Sequence, residues 1–459
     1  MYYGCVSKPK RKFPLKRELP PGNFYGEGCM RTIGLIFAFL FFFLTLSGFS
    51  AEGASWTQRA ELTASNGGAD DQLGESAAIS GNTAVLGAPE APVGSNNQEG
   101  AAYVYVKPAS GWKNMTQVAE LTPSDGGPAV HFGSSVAIDG EVIVVGEPWA
   151  KIGSHNSQGA LYVYVKPAGG WKDMTETAKL TASDGAVLDL LGVSVTILGD
   201  TIVGSAPFAT IGSAGSAGAV YVFVKPRSGW KNMTQRAKLT ASDPIFAAEL
   251  GYGVSLSGTT VAAGARNYGT SIPGAAYVFV EPHSGWKNMT QTAKLTASQA
   301  TNGDQLGLSI SINGNVVVAG APDETVGSNG YQGASYIWVR PASGWKSTSK
   351  AARITASDGA AGNYLGCSVS LAGNTLVVGA FGVTVGSNAG QGAVYMYRKP
   401  ESGWNTTSKF NAKLTASDGT ESAWLGNSVR NVSNTVLAGA PGQTIAGNSQ
   451  QGTAYIFQK

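Results

Sequence analysis

The sequence predicts an all-β protein made of seven copies of one four-stranded unit, and two observations predict it: a long internal repeat and a strand-like composition with frequent turns. The string LTAS or a close variant starts at Leu62, Leu121, Leu180, Leu239, Leu295, Ile354 and Leu414, at spacings of 59, 59, 59, 56, 59 and 60 residues. Repeats of this period point to a solenoid, propeller or array. They also reconcile a chain of 459 residues with the limited size of a single hydrophobic core.

Each copy contains four segments in the same order: A-K-L-T-A-S, L-G-x-S-V-x-x-x-G-N, V-V-x-G-A-P and Q-G-A-x-Y-V-Y-V-K-P. Runs such as Tyr103-Val104-Tyr105-Val106 and Val316-Val317-Val318 are β-branched or aromatic and bounded by turn residues, and no segment has helical spacing. Gly81-Asn82, Gly314-Asn315 and Gly373-Asn374 separate two strand runs. Gly and Asn tolerate the positive φ of a tight hairpin, so the second and third segments pair antiparallel. The 63 glycines and 13% charged residues fit many such turns, and no Gly-X-Y period points to collagen.

These segments resemble the FG-GAP repeat family, which includes the integrin α-subunit head. Phe132-Gly133 and Leu306-Gly307 match its FG element, and Gly87-Ala88-Pro89 and Gly320-Ala321-Pro322 its GAP element. The resemblance covers about residues 56–459; Arg266 in the fourth copy and Phe381 in the sixth depart from the GAP proline. It implies a seven-bladed β-propeller of four-stranded blades with L-G-x-S-V innermost. In that phase the chain ends at Lys459 on a third strand, while Trp56–Thr63 is a fourth strand without a blade. The first strand is therefore expected to complete the last blade. Closing so long a loop costs about 5 kcal/mol, which roughly four ladder hydrogen bonds at ~1 kcal/mol each and burial of Leu62 offset.

The chain divides into residues 1–51 and a repeat body, 52–459. Residues 1–51 hold seven Lys/Arg and two Asp/Glu, so of the overall +3 the body carries about −2. A nearly neutral body excludes nucleic-acid binding, which needs a basic surface to release counterions. Ile33–Leu46 is apolar, preceded by Arg31 and followed by Ser47, Gly48, Ser50 and Ala51. It reads as a signal peptide cleaved after Ser50. The alternative keeps Lys8–Arg17 as the cytoplasmic flank of a signal anchor, the only membrane attachment foreseen. Both place the body outside the cell.

Catalytic signatures are lacking. His131, His155 and His283 fall at non-equivalent repeat positions, and no G-x-S-x-G, H-E-x-x-H or Walker-type segment occurs. Cys5, Cys29 and Cys367 make no disulfide framework, and Cys367 is expected to be a small buried residue. In integrin-type repeats the first hairpin often carries a calcium loop; the turns here, such as S-G-N-T and D-G-E-V, offer at most two carboxylates against the six to eight oxygens calcium takes. No metal or cofactor is expected. Asp125, Asp184, Asp243, Asp358 and Asp418 follow the LTAS serine and read as turn-starting residues bonded to their own backbone. Trp112, Trp171, Trp230, Trp286, Trp345 and Trp404 recur so strictly that they read as packing between blades.

Asn114, Asn232, Asn288 and Asn405 are N-x-[ST] acceptors in the turn between the third and fourth strands, and Asn431 is read in the hairpin between the first two. Both turns lie on one face of a propeller, so glycans would crowd it and leave the other to partners. That other face carries the longer loops, the usual place for binding residues on a rigid scaffold. Just past the GAP element it presents Glu90, Trp149, Phe208, Tyr268, Asp323 and Phe381. Of these, Trp149, Phe208, Tyr268, Asp323 and Phe381 are the candidate ligand-binding residues. The functional expectation is a monomeric, secreted or surface-displayed, non-enzymatic module for a protein or glycan partner. Its rivals are an integrin-α-like receptor subunit and a hydrolase-like enzyme with a site at the central channel.

Overall fold

The computed structural model describes residues 55–267 and 272–459. The basic segment and apolar run at the N-terminus lie outside the described residues, as does Tyr268. Among the described residues there is no helix, and the strands form seven antiparallel four-stranded blades. From the axis outward, blade 1 is Ser76–Ser80, Thr83–Ala88, Ala101–Val106 and Ala119–Leu121. Each later copy repeats that order, with hairpin glycines such as Gly81 and Gly314 at φ of 56° and 58°. Inner strands pack in succession round the axis, and Val429–Val432 of blade 7 returns to Ser76–Ser80 of blade 1.

Closure occurs as expected. Thr57–Thr63 pairs antiparallel with Thr453–Gln458 as the outer strand of blade 7, with Glu61 opposite Tyr455 and Leu62 opposite Ala454. Leu62 and Ala60 are buried. The outer edge of this strand is then covered by the next blade, because Leu62 and Thr63 pair in parallel with Met115 and Thr116. Leu180 meets Met233, and Leu239 meets Met289, in the same way. Such lead-in segments leave few outer strands exposed, which blunts edge-to-edge association.

The FG and GAP motifs have a plain physical meaning. The glycine of one blade's GAP element lies against the carbonyl of the next blade's FG glycine, so a Cβ on Gly87 would overlap Gly133 O, and one on Gly439 would overlap Gly74 O. Beside this contact the inner-strand serine reaches across: Ser76 Oγ donates to Gly133 O at 2.7 Å, Ser309 Oγ to Gly366 O at 2.7 Å and Ser428 Oγ to Gly74 O at 2.8 Å, the last joining blade 7 to blade 1. Between blades lie seven hydrophobic clusters, one per interface. Trp112, Trp171, Trp230, Trp286 and Trp345 are buried in five of them and Trp404 is partly buried in a sixth, so the recurrent tryptophans do pack between blades.

The recurrent aspartates differ from the sequence reading. Lys179, Lys238, Lys294 and Lys413 lie over the rings of Tyr162, Tyr221, Tyr277 and Tyr395, and their Nζ atoms reach Asp125, Asp184, Asp243 and Asp358 of the preceding blade at 2.6–2.8 Å. The turn backbone is held instead by a later aspartate: Asp71, Asp189 and Asp304 accept from the N–H of Gly68, Ala186 and Thr301. The Lys of A-K-L-T outcompetes the turn because a charged partner makes the stronger bond. These pairs are half exposed on the Asp side, so Lys238→Met is expected to lower stability by less than about 1 kcal/mol, read as a small urea-midpoint shift.

The seam breaks the pattern. Glu61 stands where blades 2, 3, 4 and 6 have Lys, blade 1 has Glu120 and blade 5 has Arg353, and its electrostatic neighbour is Asp418. Burial first, and Asp418 second, hold the Glu61 carboxyl above its ordinary 4.5. Folded protein therefore binds this proton more tightly than unfolded. The resulting stability is fully present below 4.5 and is lost as pH rises through the folded value. Glu61→Lys recreates the pairing of blades 2, 3, 4 and 6 and is expected to gain about 0.5 kcal/mol at neutral pH. The gain should vanish in acid; a urea-denaturation pH series on both proteins checks it.

Candidate functional site

The variable side chains of the repeat gather at one end of the axis. The residue before each Leu/Phe-Gly has positive φ: Gln72 (56°), His131 (53°), Leu190 (58°), Glu249 (54°), Gln305 (56°), Tyr364 (55°) and Trp424 (59°). This left-handed backbone is uncommon for non-glycine residues. It is held by the loop of the preceding blade: His131 N–H donates to Gln98 O at 3.2 Å, Glu249 N–H to Ser216 O at 3.0 Å and Tyr364 N–H to Tyr331 O at 2.9 Å. Next to each stands a residue at or just after the GAP element. Gln305 and Tyr364 line a central cavity of about 710 Å³ that draws on all seven innermost segments, and Gln72, His131 and Leu190 line an adjoining pocket of about 600 Å³. The two share Glu75, Val193 and Tyr252.

The pocket brings together Trp149 and Phe208, two of the residues chosen from sequence, with Glu90, His131 and Leu190. His131 Nδ1 lies 3.0 Å from Glu90 Oε1, and its ring is 4.6 Å from that of Trp149, tilted by 55°. Glu90 also accepts from Gln98 Nε2 at 2.6 Å. Trp149 is 40% exposed, so its indole is braced on one side and open on the other. Val187, Leu188, Phe246 and Tyr331 are further exposed apolar side chains in loops of this end. Asp323 and Phe381 line the central cavity instead. Phe381 stacks on Tyr364 with centroids 4.8 Å apart and planes 8° apart. Asp323 accepts from Gln305 Nε2, and burial, opposed by that bond, raises its carboxyl above the ordinary value. Across from it Arg266 Nε donates to Glu249 Oε2 at 2.5 Å, and the guanidinium lies 3.6 Å from the Tyr252 ring.

Sequence reasoning missed His131, Glu249, Gln305 and Tyr364. Comparison between the copies could have found them, because the position before Leu/Phe-Gly carries six residue types in seven copies while the Leu/Phe-Gly after it repeats. His155 takes the place of Asn329 and Asn388 in other copies: its Nδ1 lies 3.1 Å from Gln158 Oε1 and 2.9 Å from Gly185 O. Cys367 is not fully buried; it lines the cavity, Sγ 3.3 Å from Gly426 O, and desolvation pushes its thiol up to about 11.

The sequon asparagines are part of the architecture. Asn114, Asn232 and Asn288 are exposed, and their Oδ1 atoms accept the N–H of Glu61, Lys179 and Lys238 of the preceding blade at 2.9, 2.8 and 2.8 Å. Asp173 and Ser347 accept the same bond in the copies that break the sequon. In blade 6 Thr406 accepts it, which frees exposed Asn405 to donate to Ser402 Oγ and Gly403 O. Asn431 is a correction. It lies within the inner strand, 9% exposed, its Oδ1 accepting from Ser370 Oγ at 2.7 Å and its Nδ2 donating to Thr375 O at 3.0 Å. The turn begins later, at Ser433 with φ of 50°.

The first hairpin and the third-to-fourth turn share one face, since Lys107 N–H donates to Asn82 O at 2.8 Å and Lys399 N–H to Asn374 O at 2.8 Å. The fold and mouth thus define a seven-bladed β-propeller with its variable residues collected at one axial end. The chain belongs to the FG-GAP repeat family: the family model so described matches residues 56–105, 115–164, 174–223, 233–279, 289–338, 348–397 and 409–457. Comparison with curated proteins gives no match. The structure is similar to the crystal structure of the WD40 β-propeller domain of Doa1, with a TM-score of 0.50 and 10% identity over 89% of this chain and 98% of that one. At that identity the likeness concerns fold alone.

Proposed function

We propose that this chain is a non-enzymatic binding module, displayed outside the cell, whose mouth face takes a protein or glycan partner. The FG-GAP propeller fold itself suggests a binding or adhesion-type module. The observation that carries the finer reading is the pocket of Glu90, His131, Trp149 and Phe208. It offers a braced, open aromatic face beside a carboxylate and an imidazole, the mixture of stacking surface and few placed polar groups that recognition sites use. Exposed Asn114, Asn232, Asn288 and Asn405 sit on the opposite face, so glycans there would leave the mouth clear.

A glycan array and a panel of purified extracellular proteins, probed with the wild type and with Trp149→Ala, test the proposal. A ligand is expected whose affinity falls by about tenfold or more in the variant, the loss typical of an aromatic anchor. Binding that Trp149→Ala and Phe208→Ala both leave intact would remove the mouth from consideration. When the chain is expressed through a eukaryotic secretory pathway, intact-mass analysis is expected to find glycan on Asn114, Asn232 and Asn288 and none on buried Asn431.

A further inference from the structure

The central cavity is lined by Glu75, Gln305, Asp323 and Asn427, by inner-strand serines, and by a collar of Val136, Val195, Val254, Ile310, Val369 and Val429, one from each of six inner strands. One residue deeper, six of the seven strands carry Ala, Thr or Ser, as at Ala78, Thr196, Ser255 and Ser370; blade 7 alone carries Arg430. Of the residues at this level only Arg430 lines the cavity. The guanidinium has five N–H donors, and the bond it makes is to Val429 O at 3.0 Å. Among the described residues no carboxylate lies within 4.0 Å of it. Glu75, on the same cavity wall, instead accepts from Asn427 Nδ2 at 3.0 Å.

A partly buried cation facing a cavity is ordinarily paired, and desolvation lowers the basicity of Arg430 below its usual value. The small residues at the six equivalent positions leave the space into which the long side chain extends. A planar fork of donors at the floor of an apolar collar matches a carboxylate attached to an apolar body. The cavity volume of about 710 Å³ is that of a small-molecule site. We propose that the central cavity binds an organic monocarboxylate, its carboxylate on Arg430 and its apolar body against the valine collar. Arg430 and the valine collar lie outside the adjoining mouth pocket, and the proposal does not depend on the reading of that pocket.

Hexanoate is the probe, with hexanol and inorganic phosphate as controls, titrated into the repeat body by calorimetry and by NMR of the arginine Nε–H resonances. Hexanoate is expected to bind below about 10 mM and to shift one arginine resonance, while hexanol and phosphate bind more weakly. Arg430→Ser, the residue carried at Ser255, Ser311 and Ser370, is expected to fold and to weaken hexanoate by about tenfold or more, with Arg430→Lys in between. Equal hexanoate affinity in wild type and Arg430→Ser would overturn the proposal. So would phosphate binding better than hexanoate. Should Arg430→Ser not fold, the absence of any hexanoate-dependent arginine shift in the wild type would overturn it as well.

Discussion

Deletion of Trp56–Thr63 is expected to abolish the cooperative melting transition of the ring and to drive the chain into aggregates. This strand is the outer wall of blade 7 and touches both neighbours. It buries Leu62 in the cluster between blades 7 and 1, places Gln58 Oε1 to accept Ser417 N–H at 2.9 Å and offers Glu61 N–H to Asn114 at 2.9 Å. Its removal exposes Thr453–Gln458, a strand of alternating Tyr455, Ile456 and Phe457, as an unpaired edge. Edges of that composition recruit other chains. Closing a ring of this length costs about 5 kcal/mol in chain entropy, so a seam that loses its ladder and its buried leucine falls below the cost of closure. Calorimetry and gel filtration of the shortened chain check this; a melting temperature equal to that of the full body would remove the strand from the stability of the ring. The milder Leu62→Ala should keep the fold and cost about 3 kcal/mol.

The closure of blade 7 by this strand was legible in the sequence because a repeat states its own phase. Seven copies with a four-strand order leave one strand over at the start and one missing at the end, and only one pairing joins them. The family motifs were legible too, although their cause was not: nothing in Gly87-Ala88-Pro89 says which backbone lies against the glycine. The recurrent aspartates show the same limit. An Asp before Gly obeys turn chemistry locally, and the lysine that captures it is in another copy, more than 50 residues away.

The candidate site was less legible for a related reason. Residues just past the GAP element were recognisable as loop starts, and Trp149 and Phe208 do share a pocket. Which side chains face them depends on how the lead-in to each blade's inner strand folds back beside that loop start, which brings His131 to Trp149 and Tyr364 to Phe381 within one blade, while His131 reaches Glu90 only when consecutive blades are stacked. Asn431 fails in the opposite sense. Its N-x-[ST] signature is intact, but the strand continues through it and gives its amide to Ser370 and Thr375. A local pattern cannot register burial that comes from an adjacent blade.

The same stacking makes two glycines of one repeat unequal by several kcal/mol. Gly314 adopts φ of 58° in the hairpin with nothing near its missing Cβ, so Gly314→Ala is expected to cost about 1 kcal/mol, the conformational penalty alone. Gly320, six residues on, has ordinary backbone, yet a Cβ there would overlap Gly366 O and crowd Ser309 Oγ, which itself donates to that carbonyl at 2.7 Å. The obstacle is the backbone of the next blade and cannot rotate away. Gly320→Val must therefore separate blade 5 from blade 6, break the serine bridge and loosen the cluster that holds Ile354, Leu376 and Tyr395. A loss of about 4 kcal/mol or more is expected, measured as a urea-midpoint shift beside that of Gly314→Ala. Two shifts of similar size would mean that blades slide freely past one another, and the glycine contact would then have no part in setting their spacing.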